Sequence, residues 1–306
     1  MCIRDSYKDG GIGGAVIDTP FIPGHEFSAL ATEDVPEKNI AEGELVAVDP
    51  ATPCFICEWC ARGHHNLCPN VVFLGAPPYH GAMAPSLAVP RESLIKIPAS
   101  MSAEQGAMLE PLGVCIHAID LAKPKLVESV AVLGCGCIGL GILQLLLRTG
   151  CHKIVAIDPQ PHRVEKALSL GAHVGGATFE TVSDATNSRG CDLVIEATNS
   201  PAGLVDAVKA AAIGGRVILV GIPDGDVYNN LSASEARRRG LDIRFSRRMG
   251  DVYERAVKLV DRSWVDVDTL ITHRFDLPTA ADAFRLQKDE APGLIKSMIT
   301  PNKNPD

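Results

Sequence analysis

Four cysteines, Cys54, Cys57, Cys60 and Cys68, fall within fifteen residues in the spacing C-x2-C-x2-C-x7-C. The two-residue gaps turn successive thiolates toward one centre, and the fourth closes the shell from the far end of a short lobe. Four soft sulfur donors with no open position describe a structural Zn2+ site and not a catalytic one. The competing readings are a pair of disulfides or four unconnected buried thiols. Disulfides need an oxidising compartment, and no secretory signal is read ahead of the cluster. The ten cysteines of the chain suit a reducing cytoplasm, where thiolates stay available to metal.

A length of 306 residues accommodates two domains with proper cores. The 29 basic and 37 acidic residues leave a formal charge of -8 with no basic block, which argues against nucleic acid as a partner. Residues 130–147 form an uncharged stretch of 18, the length at which a membrane span becomes a candidate. Gly134, Gly136, Gly139 and Gly141 within it fit a buried strand, a glycine turn and a buried helix better, so no membrane partner is expected.

From residue 24 to about 108 the pattern is one of short strands and turns, with 44–50 and 87–90 strand-like. From about 129 to 221, strands at 130–133, 154–157, 193–196 and 217–220 alternate with helical patterns at 137–148, 162–170 and 202–212. That alternation predicts right-handed βαβ units and a parallel sheet. After residue 240, stretches 252–260 and 280–286 read as helical, and 270–275 and 295–299 as strands. The tail 301–306 is polar.

Gly134-Cys135-Gly136-Cys137-Ile138-Gly139 is a G-x-G-x-x-G turn that follows a strand and opens a helix. The first glycine permits the turn, the second lets backbone approach a pyrophosphate, and the third lets helix pack on strand, with the helix N-terminus facing the phosphates. Asp158 ends the next strand nineteen residues beyond Gly139. A carboxylate there accepts from adenosine ribose hydroxyls and repels a 2′-phosphate, which favours NAD over NADP. Arg163 lies close enough to leave NADP use open. An ordinary glycine-rich turn with a surface aspartate is the bland alternative.

Gly24-His25-Glu26 and Glu110-Pro111-Leu112 flank the cysteine lobe. A lone His-Glu pair is more often structural, and Glu110 alone could be any helix or loop carboxylate. Their company raises them: a zinc bound by His25 and carboxylate keeps an open position for a substrate oxygen.

On Gly24-His25-Glu26, the cysteine quartet, Leu109-Glu110-Pro111-Leu112, the glycine turn, and Gly214-Gly215-Arg216-Val217 running into Gly221-Ile222-Pro223, the chain resembles a zinc-dependent medium-chain dehydrogenase/reductase of the sorbitol (polyol) dehydrogenase branch. The resemblance spans nearly the whole chain. It implies an α/β protein with a GroES-like, β-rich catalytic domain into which a Rossmann doubly wound parallel sheet is inserted. The expected boundaries are 1–115 for the catalytic domain, with the zinc lobe at 54–68, then 116–246 for the NAD-binding domain and 247–306 for the return.

The resemblance further implies that His25 ligates a catalytic zinc and that Glu26 and Glu110 ligate it or stand beside it. Gly134, Gly136, Ile138, Gly139, Asp158 and Arg163 are the implied NAD contacts. Glu110 stands where other alcohol dehydrogenases of the family have a cysteine, which points to the polyol or threonine branch. Arg248 matches a substrate-side arginine, although Arg247 is adjacent and both could be a solvated pair. A homodimer or homotetramer acting on a small-molecule alcohol in the cytoplasm is expected.

The front of the chain departs from the family pattern. Members carry an early Cys-Gly-Ser/Thr-Asp-x-His segment whose cysteine is the first catalytic zinc ligand. Aligned on residues 10–13 and His25, that cysteine falls just before Met1, Cys2 is not its equivalent, and Asp5 stands where the histidine would be. Residues 1–6 resemble a spurious leader, so the chain reads as truncated at its N-terminus and its catalytic zinc as expected in the full-length parent. The reaction implied is NAD-linked oxidation of a secondary alcohol, of a polyol or sugar alcohol, to a ketone. The alternatives are a threonine or other secondary-alcohol dehydrogenase, and a zinc- and nucleotide-binding protein without turnover.

Overall fold

The structure is a computed structural model that describes residues 11–12, 15–17, 20–223 and 227–301. Cys2 and Asp5 lie outside the described residues, as does the tail beyond residue 301. The chain divides into two compact units, residues 1–113 with 250–306, and residues 114–249.

The first unit opens with short antiparallel strands. β1 (Gly11–Ile12) pairs with β2 (Ala15–Val16). β3 (Ser28–Leu30) pairs with β4 (Leu45–Val48), β5 (Ala51–Thr52) with β6 (Val72–Phe73), and β7 (Leu94–Lys96) with the far side of β4. Between β5 and β6 stands the single-turn helix α1 (Glu58–Ala61). The stretch 87–90, read above as a strand, forms none: Pro90 has no N–H to give a ladder, and Leu87 and Val89 pack singly against the core. α2 (Ala103–Ala107) starts from a capping box in which Ser102 and Gln105 satisfy each other's backbone. α3 (Leu109–Ala122) follows at once, and the division between the units falls within it at residue 113.

The second unit alternates β8 (Ser129–Leu133), α4 (Cys137–Leu146), β9 (Lys153–Ile157), α5 (Pro161–Ser169), β10 (Val174–Gly176), α6 (Glu180–Ala185), β11 (Cys191–Glu196), α7 (Gly203–Ala210), β12 (Ala211–Leu219), α8 (Ala233–Arg239) and β13 (Asp242–Phe245). The six strands are parallel and lie in the order β10-β9-β8-β11-β12-β13, the Rossmann arrangement with its switch point between β8 and β11. Val155, Val194, Val217 and Leu219 bury one face of the sheet with Ala207 and Ala210 of α7. The uncharged stretch 130–147 is therefore β8, the glycine turn and α4. No helix among the described residues is long and apolar enough to cross a membrane. The helix read at 202–212 stops at Ala210, because Ala211 already has the extended φ -76° and ψ 143° that open β12.

The chain then returns to the first unit with α9 (Tyr253–Asp261), β14 (Ile271–Asp276), α10 (Ala280–Lys288) and β15 (Lys296–Thr300). β14 and β15 run parallel, His273 opposite Ser297 and Phe275 opposite Ile299, with α10 as the crossover that a parallel pair needs. Ala283 and Ile299 pack in one core with Phe27, Val46, Val48 and Leu74 from the first part of the chain. Arg274 of β14 grips Glu104 of α2 through two hydrogen bonds of 2.7 Å.

Candidate functional site

The four cysteines of the lobe come together as the spacing predicts, with all four Sγ atoms within 4.8 Å of one another. Phe55 takes a left-handed φ of 58°, which turns the chain sharply between Cys54 and Cys57. Cys57 caps α1 and its sulfur accepts from the Cys60 N–H at 3.5 Å, while Cys68 Sγ accepts from the Cys54 N–H at 3.4 Å. Cys57 Sγ stands 3.4 Å from that of Cys60 and 3.9 Å from that of Cys68, far beyond a disulfide bond. Four sulfurs about 2.3 Å from one Zn2+ sit about 3.8 Å apart, so these residues fit the ion. Backbone N–H donors, that of Ile56 first, lower the Cys54 thiol to about 6, whereas burial pushes Cys60 up to about 12. A full set of four thiolates needs a cation among them.

His25, Glu26 and Glu110 form the second group, each offering one donor atom within 4.8 Å of the others. Gly24 turns the chain into His25 with φ 102°, and the 81–83 strip holds that turn: the N–H groups of Gly81, Ala82 and Met83 donate to the carbonyls of Ile22, Gly24 and Pro23 at 2.6, 2.9 and 3.1 Å. The backbones are so close that a Cβ on Gly81 would lie 2.2 Å from Gly24 O, so only glycine fits there. The His25 ring leans on Phe73 of β6, centroids 5.3 Å apart. Glu110 enters from the first turn of α3, where Pro111 is tolerated because its missing N–H has no helical partner to lose.

Glu26 and Glu110 are 8% and 6% exposed, which is costly for carboxylates unless cations compensate them. One cation is Lys296 of β15, 2% exposed, whose Nζ donates to Glu26 Oε2. Tyr253 of α9 lies close by, buried, its hydroxyl donating to Val48 O at 3.1 Å. Burial, helped by the charges of Asp49, Glu110 and Glu26, holds its phenol well above the usual range. An imidazole nitrogen and two carboxylate oxygens are donors that Zn2+ accepts at about 2.0–2.2 Å, and three ligands leave a position open. These residues therefore fit a catalytic zinc.

In the second unit the glycine turn lies at the switch point of the sheet. A Cβ on Gly134 would come within 2.7 Å of Ala197 O at the end of β11. A Cβ on Gly136, by contrast, would meet no protein atom within 4 Å, so nothing inside the described protein demands a glycine there. Gly136 also caps α4 without a side chain, which leaves the helix entrance clear for a phosphate. Ile138, in the first turn of α4, accepts at its carbonyl from the Cys115 thiol at 3.3 Å. Asp158, 3% exposed at the end of β9, accepts from the Cys135 N–H at 2.7 Å and the Gln160 N–H at 2.9 Å, and its second lone pairs leave capacity for hydroxyl donors. Arg163 Nη1 stands 3.8 Å from Asp158 Oδ2, and its Nε is buried with no hydrogen-bond partner among the described residues. The open approach at Gly136 and the spare Arg163 donor fit a dinucleotide.

Arg248 belongs to the second unit, half-buried with a left-handed φ of 54°. Sequence reasoning missed Lys296 and Tyr253. A lysine inside the apolar run 294–299 was the available signal, since a strand buried on both faces tolerates a charge only beside a partner.

Comparison with known proteins follows this geometry. The zinc-binding dehydrogenase family model matches residues 137–262, and the alcohol dehydrogenase GroES-like domain model matches residues 1–99. Sorbitol dehydrogenase of Bacillus subtilis (strain 168) is 31% identical over 303 residues, covering 97% of this chain and 86% of its own length. Among solved structures, galactitol-1-phosphate dehydrogenase from Escherichia coli aligns with a TM-score of 0.83 at 27% identity, over 94% of this chain and 86% of that one. A short chain alcohol dehydrogenase from E. coli CFT073, complexed with cofactor NADH, aligns with a TM-score of 0.83 at 27% identity, over 92% of this chain and 84% of that one.

Proposed function

Because the chain belongs to the zinc-dependent medium-chain dehydrogenase/reductase family, we propose that it oxidises a secondary alcohol of a polyol or sugar alcohol to the ketone, with NAD as the hydride acceptor. The observation that carries this reading is the convergence of His25, Glu26 and Glu110 on one point. The relatives named for sorbitol and galactitol 1-phosphate support the substrate class.

His25, Glu26 and Glu110 hold the catalytic zinc, and Cys54, Cys57, Cys60 and Cys68 hold the structural one. Bound zinc supplies Lewis acidity toward the alcohol oxygen, and bound nicotinamide supplies the hydride acceptor. Phe73 fixes the plane of the His25 ring, and the strip at Gly81 fixes its backbone, so the imidazole does not have to be ordered when substrate arrives. Gly134, Gly136, Ile138 and Gly139 present backbone to the pyrophosphate, and Asp158 accepts from the ribose hydroxyls with Arg163 beside it. Arg248 is read as a contact to substrate hydroxyls. Nine free cysteines among the described residues fit a cytoplasmic setting, and a homodimer or homotetramer is the assembly the family reading favours.

The test is an NAD-linked assay on a panel of polyols, sugar-alcohol phosphates, threonine and simple secondary alcohols, followed at 340 nm. Polyol turnover that vanishes in His25→Ala is the expected result. NAD and zinc binding without reduction of NAD by any alcohol would instead make the chain a binding protein.

A further inference from the structure

Lys296 and Glu26 are separated by 270 residues in sequence, yet they form the buried ion pair at the wall of the His25 group. Only 2% of the lysine side chain and 10% of the glutamate side chain reach solvent. A buried pair of this kind costs desolvation that a pair of apolar residues would not incur. Its contribution to stability is therefore a weak reason for its presence, and its charge is the feature to explain. The charge can be summed over the residues that face one another. His25 is neutral when it offers a nitrogen, Glu26 and Glu110 contribute one negative charge each, and Lys296 contributes one positive charge. A divalent ion added to His25, Glu26 and Glu110 alone gives a neutral centre. With Lys296 included, the centre is more positive by one unit charge, in buried surroundings.

The geometry points to Lys296 as a positioning residue that makes the metal-loaded centre select an anionic ligand over a neutral one, by holding one oxygen of Glu26 and leaving the other for the metal. This rests on the proposed zinc site and deepens it. The lysine acts through Glu26. It opposes the incoming cation, so the centre binds zinc less tightly than its two carboxylates alone would. In return it binds a negatively charged oxygen more tightly, as a deprotonated alcohol requires. A lysine that served only to fill and stabilise the wall would move both affinities the same way when removed.

The experiment measures zinc affinity by chelator competition at pH 8 and azide affinity from the visible spectrum of the cobalt-substituted protein, in the full chain and two variants. Lys296→Met is expected to bind zinc at least about tenfold tighter and azide at least about tenfold weaker, since one unit charge a few ångströms away is worth more than one power of ten at an effective dielectric of about 20. Glu26→Gln, close to isosteric, removes the negative charge beside the lysine and is expected to bind zinc more weakly and azide more tightly. It keeps the test decisive if Lys296→Met does not fold. Loss of both affinities in Lys296→Met with native circular dichroism, or unchanged azide affinity in either variant, overturns the proposal alone. A wild-type chain that binds only the zinc of the cysteine quartet overturns the site reading beneath it, and the proposal with it.

Discussion

A Cβ placed on Gly139 would lie 1.8 Å from the carbonyl oxygen of Gly134, so the first and third glycines of the turn are packed against each other. The middle glycine, Gly136, faces open space. Two substitutions of the same size should therefore fail differently. Gly139→Ala should destabilise the second unit by about 3 kcal/mol, the upper range for overpacking a tight contact. Gly136→Ala should keep the wild-type melting temperature and lose about tenfold in NADH affinity, one power of ten being a modest steric intrusion on a ligand. Thermal unfolding and NADH fluorescence titration separate the two. Equal melting temperatures for both variants would contradict the packing argument.

The cysteine lobe should hold one zinc that survives dialysis. Cys57→Ser should lower the metal content by one zinc per chain and disorder the lobe, because a four-ligand shell has no spare position. Elemental analysis before and after the substitution is sufficient. An unchanged zinc content would rule out the four-sulfur site.

Asp158 should decide between the two nicotinamide dinucleotides. Asp158→Ala removes the charge that repels a 2′-phosphate and leaves Arg163 to attract one, so the preference for NAD should narrow by about tenfold or more. The same change strips the Cys135 and Gln160 N–H groups of their acceptor, at a cost of about 1–3 kcal/mol in stability. Paired titrations with NADH and NADPH give the ratio. A wild-type chain that prefers NADPH would reverse the assignment.

Glu196 provides a test in pH. It is fully buried at the end of β11, accepts from the Thr198 N–H at 2.7 Å and from Tyr228 OH at 3.4 Å, and burial raises its pKa above the usual 4.5. A carboxyl whose folded pKa is raised binds more protons folded than unfolded, so its contribution is full below pH 4.5 and is lost as pH rises through the raised value. Glu196→Gln stays neutral throughout. The melting temperature of wild type minus that of Glu196→Gln should therefore decline as pH is raised from 4.5 toward 8. A difference that grows with pH would mean that the hydrogen bonds outweigh the burial.

The parts of this molecule that were legible in sequence are those in which local chemistry repeats. Strand and helix periods gave β8, α4, β9 and α5, and short-range spacing brought Cys54, Cys57, Cys60 and Cys68 to one point. β10 and β13 went unread because three or four residues at a sheet edge, two of them glycines in β10 and three of them polar or exposed in β13, carry little period. Lys296 went unread for a different reason. Its meaning lies entirely in a partner 270 residues away, and no local pattern records which strand will lie beside which turn. The group at His25 was legible as residue types, whereas its charge balance was not.

Ala283 and Ile299 share a core with Val46 and Val48, so the first unit is closed by residues made after the second unit. During synthesis the chain emerges in order, and residues 114–249 are complete while that first core still lacks its final wall. At about 5–20 residues per second, the fifty residues between the end of the second unit and Ile299 take roughly 2–10 seconds to appear. For that interval the nucleotide-binding unit can fold while the zinc-binding unit waits, the core around β4 still lacking Ala283 and Ile299. A ribosome paused within those fifty residues would display a finished dinucleotide fold together with a core whose apolar residues are not yet fully covered.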